Sequence, residues 1–294
     1  LGRPTLANTF GYNKDHRPAL KQLLFILTVS EDGGVPLHFR AESGNVADDQ
    51  THRDTWELLC QLTGRRDFLS VADCKLATSE NRAYLHQRQG RFVTVLPRTR
   101  AEDAAFRDLV VKGQVAWRPL WKKTDDQGEI IDCYTVSDQP ATTAEGYRLV
   151  WYHSRRKAEL DAVARSGRIE RALKQLAALQ EKLRSPRTRY RQEPKGAEAV
   201  ALILQSCGAA PWIVTEVQPQ TVETFHQDHR RRPGKDTRYV KKGTTRFDLA
   251  YHIDDARVAA DAASDGIFPL VSNVADLDER QLLHAYKRQP TIEK

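Results

Sequence analysis

The chain has 294 residues, of which 40% are hydrophobic, and this length allows a substantial buried core. No apolar run reaches the roughly 18 to 20 residues that cross a bilayer, and no signal-peptide pattern opens the sequence, so we expect a soluble, intracellular protein. The four cysteines are far apart and form no Cys-x-x-Cys pair, which argues against a zinc site and a disulfide framework. The net charge of +7 suits a polyanionic partner. Because the chain lacks methionine and opens on Leu1, we expect an internal piece of a longer protein.

The first third of the chain predicts strand, strand, helix, strand, helix, strand. The predicted strands cover 22–30, 35–42, 67–73 and 91–96; the predicted helices cover 48–62, with Trp56, Leu59 and Leu62 on one stripe, and begin again near Thr78. A turn at Gly33-Gly34 joins the first two strands as a hairpin. Two antiparallel strands followed by alternating helices and strands favour a mixed sheet flanked by helices.

The segment 67–73 is an apolar run that ends abruptly on the carboxylate of Asp73. Phe68, Leu69, Val71 and Ala72 leave no polar face, so the segment predicts a strand covered on both sides, in the interior of a sheet. Asp73 then lies at the carboxyl edge of the sheet, where ligands usually bind. The local pattern equally allows Asp73 to be a turn residue or a helix cap.

After Pro97 the sequence pattern changes to shorter segments in which apolar and polar residues alternate. Predicted strands cover 115–121, 130–136, 148–152, 211–217, 237–253 and 266–271. Predicted helices cover 155–183, 255–263 and the residues from Asp278 onward, and a basic linker covers 185–196. The long helix places Ile169, Leu173, Leu176 and Leu183 on one apolar face, which predicts packing within this protein.

Eight cations crowd the sequence from His226 to Arg246, where only Asp228 and Asp236 oppose them. They are Arg230, Arg231, Arg232, Lys235, Arg238, Lys241, Lys242 and Arg246. Such a run, with Tyr239 and Phe247 nearby, is typical of a surface that tracks a phosphate backbone, and binding there is expected to weaken steeply with salt. An equal alternative is that this segment is only a solvated loop and an exposed strand. The spacing of His226 and His229 suits a metal pair, but no further ligand surrounds them, so surface histidines are favoured.

Several short motifs follow one another in order along the chain. They are Gly11-Tyr12-Asn13-Lys14-Asp15-His16-Arg17-Pro18, Lys21-Gln22, Ser43-Gly44-Asn45 with Asp48, Val71-Ala72-Asp73 before Ser79-Glu80-Asn81, Asp265-Gly266, and the segment from Tyr286 to Glu293. Together they resemble the bacterial insertion-sequence transposases of the Asp-Asp-Glu class, in the branch marked by a Tyr-Arg-Glu-Lys signature. The resemblance spans essentially the whole chain.

The resemblance implies an α/β, ribonuclease-H-like fold with a mixed sheet flanked by helices. It divides the chain into a first core part (1–97), a mixed α/β, strand-containing insertion (98–265) and a last core part (266–294). It makes Asp73 the second and Glu293 the third catalytic carboxylate, both ligands of two Mg²⁺ or Mn²⁺ ions across a shared cleft. It also implies transposon-end and target DNA as partners, a homodimer or larger assembly on DNA, and a bacterial, nucleoid-associated location in the cytoplasm.

The sequence departs from the signature near its end. Tyr286 and Glu293 keep the seven-residue separation that puts both on one face of a continuous helix. Gln289 stands where the signature has Arg, with Arg288 beside it, and Pro290 would kink a helix. The signature Lys falls past Lys294. We expect Tyr286 and Arg288 to contact DNA.

The first carboxylate of the family lies on a strand that precedes Gly11, and we expect this strand to lie before Leu1. Asp15 is interpreted as a turn or salt-bridged residue and Asp48 as a helix cap, so neither replaces it. We therefore expect no Mg²⁺-dependent nicking of DNA by these 294 residues, and poor solubility from an unpaired strand edge. Two alternatives stay open: another metal-dependent nuclease with the same core, and a remnant that binds DNA without cutting it.

Overall fold

The computed structural model describes residues 9–10, 20–32, 34–45, 48–73, 75–139, 141–228, 232, 234 and 237–288, with the backbone alone at 48–50. The chain divides into two compact units. The first comprises Leu1–Arg156 with Gly266–Lys294, and the second comprises Lys157–Asp265. The second unit ends at the same residue as the predicted insertion and begins later than residue 98.

The elements up to residue 154 belong to the first unit. They are β1 (Thr9–Phe10), β2 (Lys21–Val29), β3 (Pro36–Ser43), α1 (Asp48–Thr63), β4 (Leu69–Val71), α2 (Ser79–Gln87), β5 (Arg91–Val95), α3 (Ala101–Val111), β6 (Trp117–Thr124), β7 (Ile130–Ser137), β8 (Ala141–Thr142) and β9 (Arg148–Ser154). The chain then enters the second unit through α4 (Arg155–Arg184), followed by α5 (Glu193–Cys207), β10 (Ile213–Gln227), β11 (Tyr239–Ile253) and α6 (Asp255–Ala262). It returns to the first unit in β12 (Ile267–Ser272) and α7 (Glu279–Lys287).

The first unit contains two described sheets. Strands β1, β2 and β3 form a small antiparallel sheet. The larger sheet has the order β4-β5-β12-β9-β7-β6, with β8 paired to β9. Its β4 and β5 are parallel and all its other described pairs are antiparallel, so the predicted mixed α/β architecture is confirmed at this level.

Strand β4 explains the apolar run that precedes Asp73. Phe68 and Ala72 pack with the hydrophobic cluster around Trp56, whereas Leu69 and Val71 pack with a second cluster on the opposite face of the large sheet. The prediction that both faces are covered is therefore confirmed. The prediction of an interior strand is wrong within the described residues, because β4 pairs only with β5 and ends the sheet.

Local signals fix the ends of the helices next to this strand and at the end of the described chain. Thr78 caps α2, where its hydroxyl accepts a hydrogen bond from the backbone N–H of Asn81. Asp278 caps α7 in a reciprocal capping box with Gln281. The predicted helix starts near Thr78 and Asp278 are both confirmed.

Most strands and helices predicted from periodicity occur within a few residues of the expected bounds, whereas β10 continues ten residues past the predicted end at 217. Leu62 was predicted on the buried stripe of α1 but is 61% exposed, since the stripe that packs runs through Trp56 and Cys60 instead. Helix α5 begins at Glu193, inside the predicted linker, because Pro194 occupies the first turn of the helix, where no N–H is needed.

The second unit is a hairpin packed by helices. Strands β10 and β11 pair antiparallel over their whole length, from Ile213 opposite Ile253 to Gln227 opposite Tyr239. At the base of the hairpin, Phe247 and Leu249 join the buried face of α4 in one core. That buried face of α4 contains Arg165, Ile169, Ala172, Leu176, Leu179 and Leu183.

Candidate functional site

Asp73 follows the carboxyl end of β4, on the edge at which the parallel partner β5 also ends. Its side chain is exposed, and its Oδ1 accepts a hydrogen bond from the backbone N–H of Lys75 at 2.9 Å. Its carbonyl oxygen accepts a hydrogen bond from the hydroxyl of Thr94 at 2.6 Å, which anchors Asp73 to β5. The carboxylate thus stabilises a local turn and still faces solvent.

The Ser79-Glu80-Asn81 segment near Asp73 in sequence has structural contacts that its motif did not predict. The hydroxyl of Ser79 donates to Glu145 at 2.9 Å, and the Oδ1 of Asn81 accepts from Arg53 at 2.9 Å. Arg82 is fully buried and donates from Nη2 to Glu145 at 2.8 Å. The two contacts to Glu145 hold the start of α2 against the loop between β8 and β9, and the contact from Arg53 holds it against α1.

Arg100 extends this cluster into a chain of alternating charges. It donates to Glu145 at 2.9 Å and 3.0 Å and to Glu102 at 2.7 Å and 3.1 Å. The hydrogen bonds from Arg100 lower the pKa of Glu102 to about 2. Burial raises the pKa of Glu145, but the hydrogen bonds from Arg100 and Ser79 outweigh this effect and lower the pKa well below its usual range.

Two of the residues predicted to contact DNA, Tyr286 and Arg288, lie in or just after the last helix, α7. Tyr286 is half-buried in the cluster that contains Phe268, with the two ring centroids 6.4 Å apart. Arg288 follows α7, is exposed, and forms an ion pair with Glu31. Glu293 lies outside the described residues, as do Gln289, Pro290 and Asp15. Asp48 begins α1, where the predicted helix starts.

No group of three or more His, Cys, Asp or Glu side chains that could hold a metal ion occurs in the part of the chain that the structure describes. Of the catalytic carboxylates that the resemblance implies, only Asp73 lies within the described residues. A single carboxylate does not fit a site for two Mg²⁺ ions, which prefer several oxygen ligands in fixed geometry. His226 hydrogen-bonds through its ring to the hydroxyl of Thr224 at 3.0 Å, and His229 is outside the described residues.

The predicted cationic surface lies on the β10–β11 hairpin. Arg238, Lys241, Lys242 and Arg246 are all in the described hairpin, and Arg232 is exposed in the connection between its strands. Arg230, Arg231 and Lys235 lie outside the described residues. Arg246 donates to the backbone carbonyl of Arg184 at 3.1 Å, which ties it to the base of the hairpin.

The aromatic side chains on this hairpin differ from those that the sequence suggested. Phe247 was predicted beside the phosphate-tracking surface, but it is buried in the core of the second unit. Tyr239 is 56% exposed, as that prediction requires, and Phe225 is 66% exposed. Strand alternation puts Phe225 and Phe247 on the same face of the hairpin, so only distance from the core separates their roles. Counting residues outward from the buried base would have identified Phe225.

No family model, curated protein or solved structure matches this chain. No helix among the described residues is long and apolar enough to span a membrane. The described cysteines Cys60, Cys133 and Cys207 are free thiols, as the sequence predicted.

Proposed function

We propose that this chain is the catalytic region of a DNA transposase of the Asp-Asp-Glu class, built on a ribonuclease-H-like core. In this proposal Asp73 is one of the carboxylates of the catalytic site. The observation that carries it is the place of Asp73, exposed at the carboxyl end of β4 beside its parallel partner β5. Ligands of open α/β sheets bind at that edge.

The order of elements before Asp73 supports the proposal. The antiparallel strands β1, β2 and β3 precede α1, and α1 precedes the parallel pair of β4 and β5. The resemblance implies a mixed sheet flanked by helices, with its first carboxylate on a strand that precedes Gly11. Strand β4 has one edge that no described strand occupies, which leaves room for such a neighbour.

The cationic hairpin supports DNA as the partner. Eight cations against two acids between His226 and Arg246 give this region a strong local positive charge. Cations at such density neutralise phosphates and release counterions, which is the main source of sequence-independent DNA affinity. The second unit therefore supplies binding and the first unit supplies Asp73.

A DNA-binding protein without catalytic activity is the second candidate. Its specific support is the hydrogen bond from the N–H of Lys75 to Asp73, which is what a carboxylate does when it only forms a turn. Both candidates include duplex binding. They differ in whether Asp73 is required for cleavage.

The test is plasmid nicking with Mg²⁺ or Mn²⁺, made on the 294-residue chain and on the product of the entire reading frame that encodes it. We expect no nicking by the 294-residue chain, because neither Asp15 nor Asp48 is expected to replace the first carboxylate. We expect metal-dependent nicking by the product of the reading frame, abolished by Asp73→Asn. The assay measures the fraction of supercoiled plasmid that is converted to the nicked form.

The matched control is Asp67→Asn, which removes an exposed carboxylate from the same segment and should leave nicking unchanged. Nicking that persists in Asp73→Asn would refute the role of Asp73. Duplex binding without nicking by either protein would favour the non-catalytic candidate. Nicking by the 294-residue chain itself, lost in Asp73→Asn, would mean that the first carboxylate is within these residues, and Asp15 would be the next to replace.

A further inference from the structure

The connection between α4 and α5 is strongly basic. Residues 182–192 contain five cations and no acid, and all five cations are exposed. They are Lys182, Arg184, Arg187, Arg189 and Arg191. We call residues 185–192 the arginine turn. The structure describes every residue of this segment, and the whole segment belongs to the second unit.

The arginine turn is anchored to the body of the second unit. The backbone N–H of Tyr190 donates a hydrogen bond to the hydroxyl of Thr188 at 3.1 Å. The ring of Tyr190 is half-buried and packs against the hydrophobic core of the unit. The exposed Arg187, Arg189 and Arg191 alternate with these two residues along the chain. The arginines therefore project from a held segment of backbone, so a ligand that binds there has to order only their side chains.

The outer arginines of the turn have no acidic partner. Arg187 and Arg191 form no ion pair with any acid that the structure describes. Arg189 donates to the hydroxyl of Tyr190 at 3.1 Å, and its guanidinium carbon lies 5.2 Å from the centre of that ring, so its partner is neutral. The turn thus presents positive charges that an anion is able to neutralise.

The arginine turn begins next to the base of the cationic hairpin. Arg184, the last residue of α4, donates to both carboxylate oxygens of Asp248 in β11 at 2.8 Å. The carbonyl oxygen of Arg184 accepts a hydrogen bond from Arg246 at 3.1 Å. Lys242 lies four residues from Arg246 on the same side of β11, about 13 Å away at roughly 3.4 Å per residue. The turn and β11 therefore present positive charge from neighbouring parts of the same unit.

We infer that the arginine turn binds the phosphate backbone of duplex DNA beside the cationic hairpin. This inference rests on the proposed function as far as DNA is the partner. Guanidinium groups donate two parallel hydrogen bonds to a phosphate, which the point charge of a lysine does not do. Each strand of a duplex carries one phosphate per roughly 3.4 Å of helix axis, so Arg187 and Arg191 can each contact a different phosphate.

The composition of the turn favours contacts to the backbone of a duplex over stacking on the bases of a single strand. Single strands are bound mainly through exposed aromatic rings on which bases stack. Tyr190 is the only aromatic residue of the turn, and its ring packs against the core. A single strand also releases fewer counterions per contact, roughly 0.7 against 0.9 for a duplex. We therefore expect the turn to favour duplex and to be indifferent to base sequence.

The experiment measures the affinity of the 294-residue chain for a fluorescent duplex of about 20 base pairs in EDTA, between about 50 and 200 mM salt. We expect Arg187→Gln and Arg191→Gln each to reduce the slope of log affinity against log salt by about 0.9, the value for one phosphate contact. At 0.1 M salt this change corresponds to roughly eightfold weaker binding. Arg191→Lys keeps the charge and should keep the slope.

The matched control is Arg171→Gln, which removes an exposed arginine of the same helix about 20 Å before the end of α4. It should leave both affinity and slope unchanged. Unchanged slopes in Arg187→Gln and Arg191→Gln would refute the inference. An equal loss of slope in Arg171→Gln would also refute it, since the effect would then come from net charge alone. Tighter binding of a single strand, weakened by the same two substitutions, would refute the duplex as the ligand.

These results are independent of the nicking test, because EDTA excludes metal-dependent cleavage. Unchanged slopes together with Asp73-dependent nicking by the product of the reading frame would overturn the role of the arginine turn and support the proposed function. Reduced slopes without nicking would support the role of the turn and count against a catalytic chain.

Discussion

Removal of Glu145 is expected to destabilise the first unit far more than removal of an exposed acid. Arg82 has no exposed surface, and among the described residues the only hydrogen-bond partner of its side chain is Glu145, 2.8 Å from Nη2. Its Nε and Nη1 atoms have no hydrogen-bond partner, and its guanidinium carbon lies 5.3 Å from the centre of the Tyr147 ring. Glu145→Ala therefore leaves a buried guanidinium without a counter-charge.

The expected magnitude follows from burial. Breaking a buried ion pair by removing one partner costs about 3–5 kcal/mol. The Glu145 side chain is 29% exposed, so water can reach the vacated position and the lower end, about 3 kcal/mol, is expected. Arg100 keeps its hydrogen bonds to Glu102 and adds little to the cost. With a urea dependence of roughly 2 kcal/mol per molar, the unfolding midpoint falls by about 1.5 M.

The control is an exposed pair of an arginine and a carboxylate. Arg65 donates to both carboxylate oxygens of Asp67 at 2.9 Å, with both side chains more than 60% exposed. Asp67→Ala should therefore lower the unfolding midpoint far less than Glu145→Ala does. The double variant Arg82→Met with Glu145→Ala removes both charges and the two unpaired N–H groups, so its stability should return to within about 1 kcal/mol of the starting protein.

The assay is tryptophan fluorescence during urea unfolding in a Trp212→Phe background. Four of the five tryptophans, Trp56, Trp117, Trp121 and Trp151, then remain, and all four belong to the first unit. A midpoint in Glu145→Ala no lower than that in Asp67→Ala would refute the reasoning. So would a double variant as unstable as the sum of its single changes, since the coupling between the two charges would then be absent.

Two further predictions concern pH and solubility. The pKa of Glu102 is about 2 in the folded protein against 4.5 ordinarily. Its stabilising contribution is therefore complete above about pH 4.5 and is lost as the pH falls toward 2. Between pH 5 and pH 2.5, the urea midpoint of Glu102→Gln should fall less steeply than that of the starting protein. Phe25 and Phe39 stack with ring centroids 6.2 Å apart on an exposed face of the small sheet. Their joint replacement by Thr should reduce light scattering from aggregates, whereas Leu62→Gln, a single exposed leucine, should not.

The periodic parts of the fold were predictable because the polarity of each residue indicates whether it lies on the buried or the exposed face of its strand or helix. The apolar run in 22–30 and the helical spacing of Ile169, Leu176 and Leu183 correspond to β2 and the buried face of α4. Non-local polar contacts were not predictable in this way. Arg82 and Glu145 are 63 positions apart, and no local pattern indicates that the arginine is buried or that this acid is its partner.

The same distinction applies to the candidate site. An apolar run ended by a carboxylate correctly predicted a strand covered on both faces with Asp73 at its end, because face coverage depends only on which side chains are apolar. It did not predict the lateral neighbours, because backbone pairing is made by N–H and C=O groups that every residue carries. The position of Asp73 therefore depends on β5 alone among the described strands, through the hydrogen bond from Thr94 and the pairing of Leu69–Val71. A strand on the open side of β4 would fix Asp73 from both edges and would place its own side chains beside it.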